Sequence, residues 1–236
     1  MKRIVALLRR TFVLLLLSLT FMVMKAQTSP YDKLWQQYET AFRSDKPQSQ
    51  RRVLADIVKQ ATADDNAAQL LRALLADRLA LLDLSTDSMG EATQRIVALH
   101  DTAADPVRKA VYSSILGIVY QFRNYRDADT YDAERSQTYL LASLSDMKRL
   151  ARTPATDYQP LLDEGTDAQV FGNDLLSVLF VAAVEQAGSL TDSQVDSVCT
   201  AVAATYDKFH RPDAALFALL KSASRLPHDK EKARLY

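Results

Sequence analysis

Residues Asn66–Leu84 read NAAQLLRALLADRLALLDL. Leu70, Leu71, Leu74, Leu75, Leu79, Leu81 and Leu82 fall so that, at 3.6 residues per turn, they cover most of a helix's circumference. A helix that is apolar nearly all round has to be contacted on more than one side. This stretch therefore belongs between neighbours, and the chain around it must supply further helices.

Upstream, Ser29 precedes Pro30 and Tyr31, with Asp32 in the first turn, a helix-start pattern. Tyr31, Leu34, Trp35, Tyr38, Ala41 and Phe42 follow at helical spacing on one face. Ser44-Asp45-Lys46-Pro47 breaks the pattern, and Val53, Leu54, Ile57, Val58 and Ala61 form a second stripe. Two helices with so short a connector read as an antiparallel hairpin. Downstream, a Ser85–Gly90 turn leads to a helix bearing Ile96, Val97 and Leu99. Asp105-Pro106 then opens a helix with the stripe Val107, Val111, Ile115, Ile118, Val119 and Phe122. One helix is expected to carry Tyr139, Leu140, Leu144, Met147 and Leu150 together. Thr153–Asp174, with Pro154, Pro160, Gly165 and Gly172, reads as irregular apart from a helical turn near Leu161-Leu162. Leu175–Val184 is almost wholly apolar and reads as a central helix. Thr191 with Gln194 makes a capping box ahead of Val195, Val198, Cys199, Val202, Tyr206 and Phe209. After His210-Arg211-Pro212, the residues Ala214, Leu216, Phe217, Leu219 and Leu220 form a last stripe, which Pro227 ends.

Alternating apolar and polar runs bounded by turn glycines are missing, so the expected class is all-α. Hairpins begin near Pro30, Asn66 and Pro106, at intervals of 36 and 40 residues. That spacing predicts antiparallel hairpins stacked as a tetratricopeptide-like α-solenoid, in which each hairpin buries its apolar face on the next. Tyr206-Asp207-Lys208-Phe209, followed by Pro212–Leu216, comes nearest to the repeat's consensus.

The first 26 residues read as an address. Lys2, Arg3, Arg9 and Arg10 precede an apolar run, Thr11–Met24, of 14 residues, and Lys25-Ala26-Gln27 follows. A bilayer needs about 20 apolar residues, so the pattern is that of a secretory signal peptide cut after Ala26. The Ala-Gln junction resembles signal peptides of Bacteroidetes and points to export, into a periplasm or beyond. The domain expected after cleavage spans 27–236. The signal removes five cations, leaving 24 bases against 29 acids and a net charge of −5. A mildly acidic surface with no basic stripe argues against nucleic acid as a partner. No later apolar run reaches spanning length without charges, so no membrane span is expected after signal removal.

Composition excludes much chemistry. With a single cysteine there is no disulfide framework and no Cys-x-x-Cys metal knuckle. Five glycines leave no phosphate loop, and neither Gly-x-Gly-x-x-Gly nor Gly-x-Ser-x-Gly occurs. Cys199 lies on an apolar stripe and reads as a small core hydrophobe. His100, His210 and His228 stand apart, each at a helix end, without metal-ligand spacing. The acid pairs Asp64-Asp65 and Asp163-Glu164 sit where acids cap helices. Trp35, Tyr38 and Phe42 read as hairpin core in preference to a ligand platform. Catalytic, cofactor and metal residues are accordingly assigned to none. The candidate binding surface is a loop cluster of aromatic and basic residues: Tyr120, Arg123, Tyr125, Arg126 and Tyr131. Asp87-Ser88-Met89, Asp101-Thr102-Ala103 and Asp196-Ser197-Val198 resemble the acceptor triplet of Bacteroidetes O-glycosylation.

Two longer stretches carry a family likeness. One is Tyr31-Asp32-Lys33-Leu34-Trp35, followed by Lys46-Pro47 and an amphipathic helix. The other runs from Tyr139 through Pro154, Tyr158, Leu161-Leu162, Gly165 and Phe171 to Asn173-Asp174-Leu175-Leu176-Ser177-Val178-Leu179-Phe180. Together they resemble the helical N-terminal region of the large alpha-2-macroglobulin-like proteins of Bacteroidetes. In that family β-rich macroglobulin domains, a bait segment and, in some members, a Cys-Gly-Glu-Gln thioester act on proteases. Here Cys199 is followed by Thr200, so no inhibitory residue carries over. The resemblance implies a non-enzymatic, exported helical module that binds a protein partner. An independent periplasmic adaptor holding a peptide or a glycan is the alternative. The two are separated by the last helix, where the first reading expects an exposed apolar edge over Ala214–Leu226.

Overall fold

The computed structural model describes residues 29–81, 86–121, 131–162, 173–185 and 190–225. The signal segment 1–26 and residues 226–236 lie outside them, as do Arg123, Tyr125, Arg126, Asp163-Glu164 and His228. The described residues are all-helical. The helices are α1 (Pro30–Arg43), α2 (Pro47–Ala63), α3 (Ala67–Leu81), α4 (Thr86–Thr102), α5 (Pro106–Gln121), α6 (Ala133–Ala142), α7 (Met147–Leu150), α8 (Leu175–Glu185), α9 (Asp192–Lys208) and α10 (Pro212–Arg225). A 3₁₀ turn, Ala155–Tyr158, lies between α7 and α8. Among the described residues no helix is long and apolar enough to cross a membrane. The chain divides into two units, Met1–Val53 and Leu54–Tyr236.

In the first unit, α1 starts as its sequence demands. The Ser29 amide donates to Asp32 Oδ2 at 2.8 Å, and Ser29 Oγ accepts from the Tyr31 amide, so orphan amides of the first turn are satisfied. Trp35 meets Tyr38 edge-on at 5.6 Å, and Tyr38 stacks on Phe42 at 6.2 Å. Tyr31, Trp35 and Ala41 are buried, but Phe42 is 63% exposed, so the core assignment fails at the outer end of this ladder. Seen from the helix axis, the stripe is wider than the buried face.

Three helix ends, those of α1, α2 and α9, share one device. Asp45, Asp65 and His210 take left-handed backbone, with φ of 49°, 51° and 58°. The next amide then closes back over five residues, Lys46 to the Ala41 carbonyl, Asn66 to Ala61 and Arg211 to Tyr206, at 2.8–3.0 Å. At these three ends aspartate or histidine accepts the left-handed conformation that glycine usually fills.

In the second unit, contacts run in sequence through α3–α4, α4–α5 and α5–α6, and again between α9 and α10. The α8 helix adds longer-range ones, touching α5, α7 and α9. Its Leu175, Leu176, Leu179, Phe180, Ala183 and Val184 are all buried, which confirms the central placement read from its unbroken apolarity. Burying each such large side chain is worth roughly 1.5–3 kcal/mol. The α3 helix is likewise enclosed on most sides, as its leucines require, with Leu79 exposed. Between α3 and α4 the packing includes polar groups: Arg78 is buried and its Nε donates to Thr93 Oγ1 at 3.1 Å.

Four expectations need correction. The α4 helix begins at Thr86 and runs through Gly90, where a turn was expected. A lone exposed glycine costs a helix only about 1 kcal/mol, too little to break it. The single helix expected from Tyr139 to Leu150 is two, α6 and α7. Ser143 Oγ donates back to the Leu140 carbonyl at 2.7 Å, and Asp146 caps anew by accepting from the Arg149 amide. Short polar side chains here compete for backbone groups and win. On α5 the buried set is wider than the expected stripe: Val107, Val111 and Val119 are buried, but so is most of the circumference, including Ser113, Ser114 and Gly117, because helices stand on several sides. On α10 the expected stripe is split: Ala214 is buried with Ala215 and Ala218, and Phe217 packs against the core, while Leu216, Leu219 and Leu220 are exposed as an apolar edge.

The stretch before α8 is tied at its two ends by an isolated antiparallel bridge between Pro154 and Asp174. The Ala155 amide donates to the Asn173 carbonyl and the Leu175 amide to the Thr153 carbonyl, at 3.0 and 2.9 Å. The helical turn lies at Ala155–Tyr158, ahead of the expected Leu161-Leu162, where a tight turn has both amides donating to the Tyr158 carbonyl.

Candidate functional site

Helices α2 and α3 meet at one short turn, and α4 and α5 at another. Between these turns lies a cleft of about 470 Å³. Pockets that hold small ligands commonly span roughly 300–1,000 Å³, so the size is sufficient for one.

The caps build its walls. Asn66 Oδ1 accepts from the Gln69 amide at 3.0 Å and starts α3. Asp105 Oδ2 accepts from the Arg108 amide at 2.9 Å and starts α5. The same Arg108 reaches across with its guanidinium to Asp65, donating from Nη1 to Oδ1 at 2.7 Å and from Nη2 to Oδ2 at 3.0 Å. The hydrogen bond and charge of Arg108 hold the Asp65 carboxyl below its usual range. Leu70 and Leu99 add apolar lining.

Tyr112 also lines the cleft and is only 2% exposed. Its hydroxyl makes no hydrogen bond among the described residues. No fully buried side-chain polar atom there lacks a partner, so the small accessible part of Tyr112 includes this oxygen. Burial pushes its phenol up, with the neighbouring Arg108 charge opposing.

The cluster singled out from the sequence is placed differently. Tyr120 is buried, stacked on Tyr139 with centroids 5.7 Å apart and planes 2° from parallel. The Arg135 guanidinium lies over the Tyr120 ring at 5.5 Å, and His100 meets Tyr139 edge-on at 5.2 Å. Tyr120 is thus a core ring with one face to a cation, while Tyr131 is 38% exposed. Arg123, Tyr125 and Arg126 fall outside the described residues, so the cluster is not assembled here as a whole.

A second polar group is largely buried. Asp174 is buried and accepts from Tyr206 Oη at 2.9 Å, from Arg211 Nη1 at 2.6 Å and from the Ser177 amide at 2.9 Å. Burial, then the Asp174 charge, raises the Tyr206 phenol far above its ordinary value. Arg211 also lies over the Tyr206 ring at 4.9 Å. This arrangement fastens the start of α8 to the end of α9 and presents no open face to a reactant. Cys199 is a buried thiol. Among the described residues no three His, Cys, Asp or Glu side chains gather as a metal would need. The Asp196-Ser197-Val198 triplet lies within α9, where Ser197 Oγ donates to the Ser193 carbonyl.

Sequence reasoning passed over the cleft. Its signal was present in two caps, Asn66 and Asp105, each opening a helix after a short turn. What those caps could not reveal is that the α2–α3 and α4–α5 turns line one cleft. Comparison with known protein families, curated proteins and solved structures finds no match.

Proposed function

We propose that the chain is an exported, non-enzymatic helical interaction module that binds a protein partner. Its hairpins stack in a tetratricopeptide-like solenoid, a reading supported by the sequential contacts from α3 to α6. The proposed relationship is to the helical front region of alpha-2-macroglobulin-like protease inhibitors.

The observation that carries the reading is the outer face of α10. Leu216, Leu219 and Leu220 stand one helical turn apart and are 58%, 46% and 55% exposed. Adjacent exposed leucines on one face are what a protein-docking surface requires. The test is calorimetric titration of the mature chain with recombinant macroglobulin β-domains from the same genome. A complex is expected, and it should be lost when the three leucines are replaced together by glutamine. Absence of a complex, or one indifferent to the replacement, defeats the reading.

The second reading, an independent periplasmic adaptor for a peptide or a glycan, is favoured by the cleft at Arg108 and Tyr112. It expects binding without any macroglobulin domain.

A further inference from the structure

We propose that the cleft between α2–α3 and α4–α5 receives a positively charged side chain, a lysine or arginine on an extended segment of a partner protein. The inference rests on the interaction-module reading and names the chemistry of one contact.

The first ground is the unused hydrogen-bonding capacity. Tyr112 is 98% buried as a residue and lines the cleft, and its hydroxyl, which keeps some solvent access, has no hydrogen-bond partner among the described residues. A nearly buried ring whose accessible polar tip has no protein partner leaves that tip free to pair with a group entering the cleft. Around it the free groups are mostly acceptors. Thr62 and Thr102 each donate their hydroxyl proton to their own helix, to the Val58 and Ala98 carbonyls at 2.8 and 2.7 Å. Their oxygens are left with lone pairs only. Asp105 uses Oδ2 on its cap and keeps Oδ1 open. An ammonium or guanidinium group, which donates and never accepts, matches this set.

The second ground is charge. The lining carries two carboxylates, Asp65 and Asp105, against one guanidinium, Arg108. Both oxygens of Asp65 already fill the fork of Arg108. An incoming anion would have to displace Asp65 and would then face Asp105 as well. The helix ends do not reverse this balance. The cleft collects the carbonyl ends of α2 and α4 together with the amide ends of α3 and α5, and opposed dipoles largely cancel. Leu70 and Leu99 suit the aliphatic stem that a lysine or arginine buries behind its charge.

The experiment is nuclear magnetic resonance titration of the isotope-labelled mature chain with three probes: Nα-acetyl-lysine-N-methylamide, its Nε-acetylated form, and acetate. The lysine probe is expected to move resonances of Thr62, Thr102, Asp105 and Tyr112, and the other two to leave them in place. Asp105→Asn keeps a good cap and removes only the charge, so it should weaken the lysine probe about fivefold. Tyr112→Phe keeps the ring and should weaken it about threefold. Acetate binding in preference to the lysine probe, unchanged affinity in Asp105→Asn, or a spectrum that no probe moves at millimolar concentration overturns the proposal. The macroglobulin-domain titration reads the α10 leucines, none of which lines the cleft. A complex there with a silent cleft here removes this inference alone.

Discussion

Leu140 occupies the space that a side chain on Gly117 would need. A Cβ placed on Gly117 would stand 2.5 Å from Leu140 Cγ and 3.2 Å from the Leu140 amide nitrogen. The Gly117 carbonyl accepts from Ser136 Oγ at 2.8 Å, one turn along the same interface. Here α5 and α6 come together, and a glycine is what lets them.

Gly117→Ala should therefore lower stability by about 1–2 kcal/mol through forced displacement of Leu140. It should do so despite the roughly 1 kcal/mol that alanine gains in helix propensity. Gly90 is the control, since nothing stands within 4 Å of its would-be Cβ. Gly90→Ala should raise stability by about 0.5–1 kcal/mol. Urea unfolding followed by circular dichroism measures both, and equal signs for the pair would contradict the packing described.

Removing Arg211 leaves Asp174 buried with one partner fewer. Arg211→Ala should cost about 2–3 kcal/mol, below the range for fully buried pairs because the Arg211 side chain is 28% exposed. Arg211→Lys should recover part of this, since lysine keeps the charge but neither the planar fork nor the same stacking on Tyr206. A thermal melt of the three proteins places them in that order.

Stability should decline in alkali. Burial raises the phenols of Tyr112, Tyr139, Tyr158 and Tyr206, with Tyr158 pushed up to about 12. The unfolded chain releases these protons near pH 10, whereas the folded one retains them. The folded form then holds more protons, so its stability is intact below about pH 10 and is lost as pH rises toward and beyond 12. Urea midpoints measured at stepped pH should fall over this window, and Tyr206→Phe should flatten the fall. A midpoint indifferent to pH above 10 would show that the rings are accessible.

The split stripe of α10 makes a size-based prediction. Ala218 is fully buried, and Ala218→Leu should destabilise by about 1–3 kcal/mol through overpacking. Leu216→Gln, on the exposed side, should stay within about 0.5 kcal/mol of the parent. Had the leucines of the stripe faced inward with Ala214, the larger loss would fall on Leu216→Gln. Chemical denaturation distinguishes the two outcomes.

What could be read beforehand divides along a physical line. Capping is local, so Ser29, Asp105 and Thr191 marked their helices correctly from a few neighbouring side chains. Strong apolarity is nearly as secure: Leu175–Val184 had no soluble option but the interior. Stripe direction is less so, because leucine and alanine both count as apolar while only their sizes decide which can lie against α9. The α6–α7 break was hidden because Leu140, Leu144 and Met147 kept helical spacing across a point where Ser143 and Asp146 had claimed the backbone. The cleft was least visible. Tyr112, Asp65 and Arg108 meet only after two turns have been brought to one cleft, and no spacing along the chain encodes that.

The alanines turned inward on α10 have an effect in solution. With the bulkier side chains left wet, that helix carries hydrocarbon that water hydrates at a cost, whatever the rest of the fold does. Salting-out ions increase that cost. The protein's solubility limit in ammonium sulfate should therefore rise when the three leucines are made polar, even though the melting temperature barely moves.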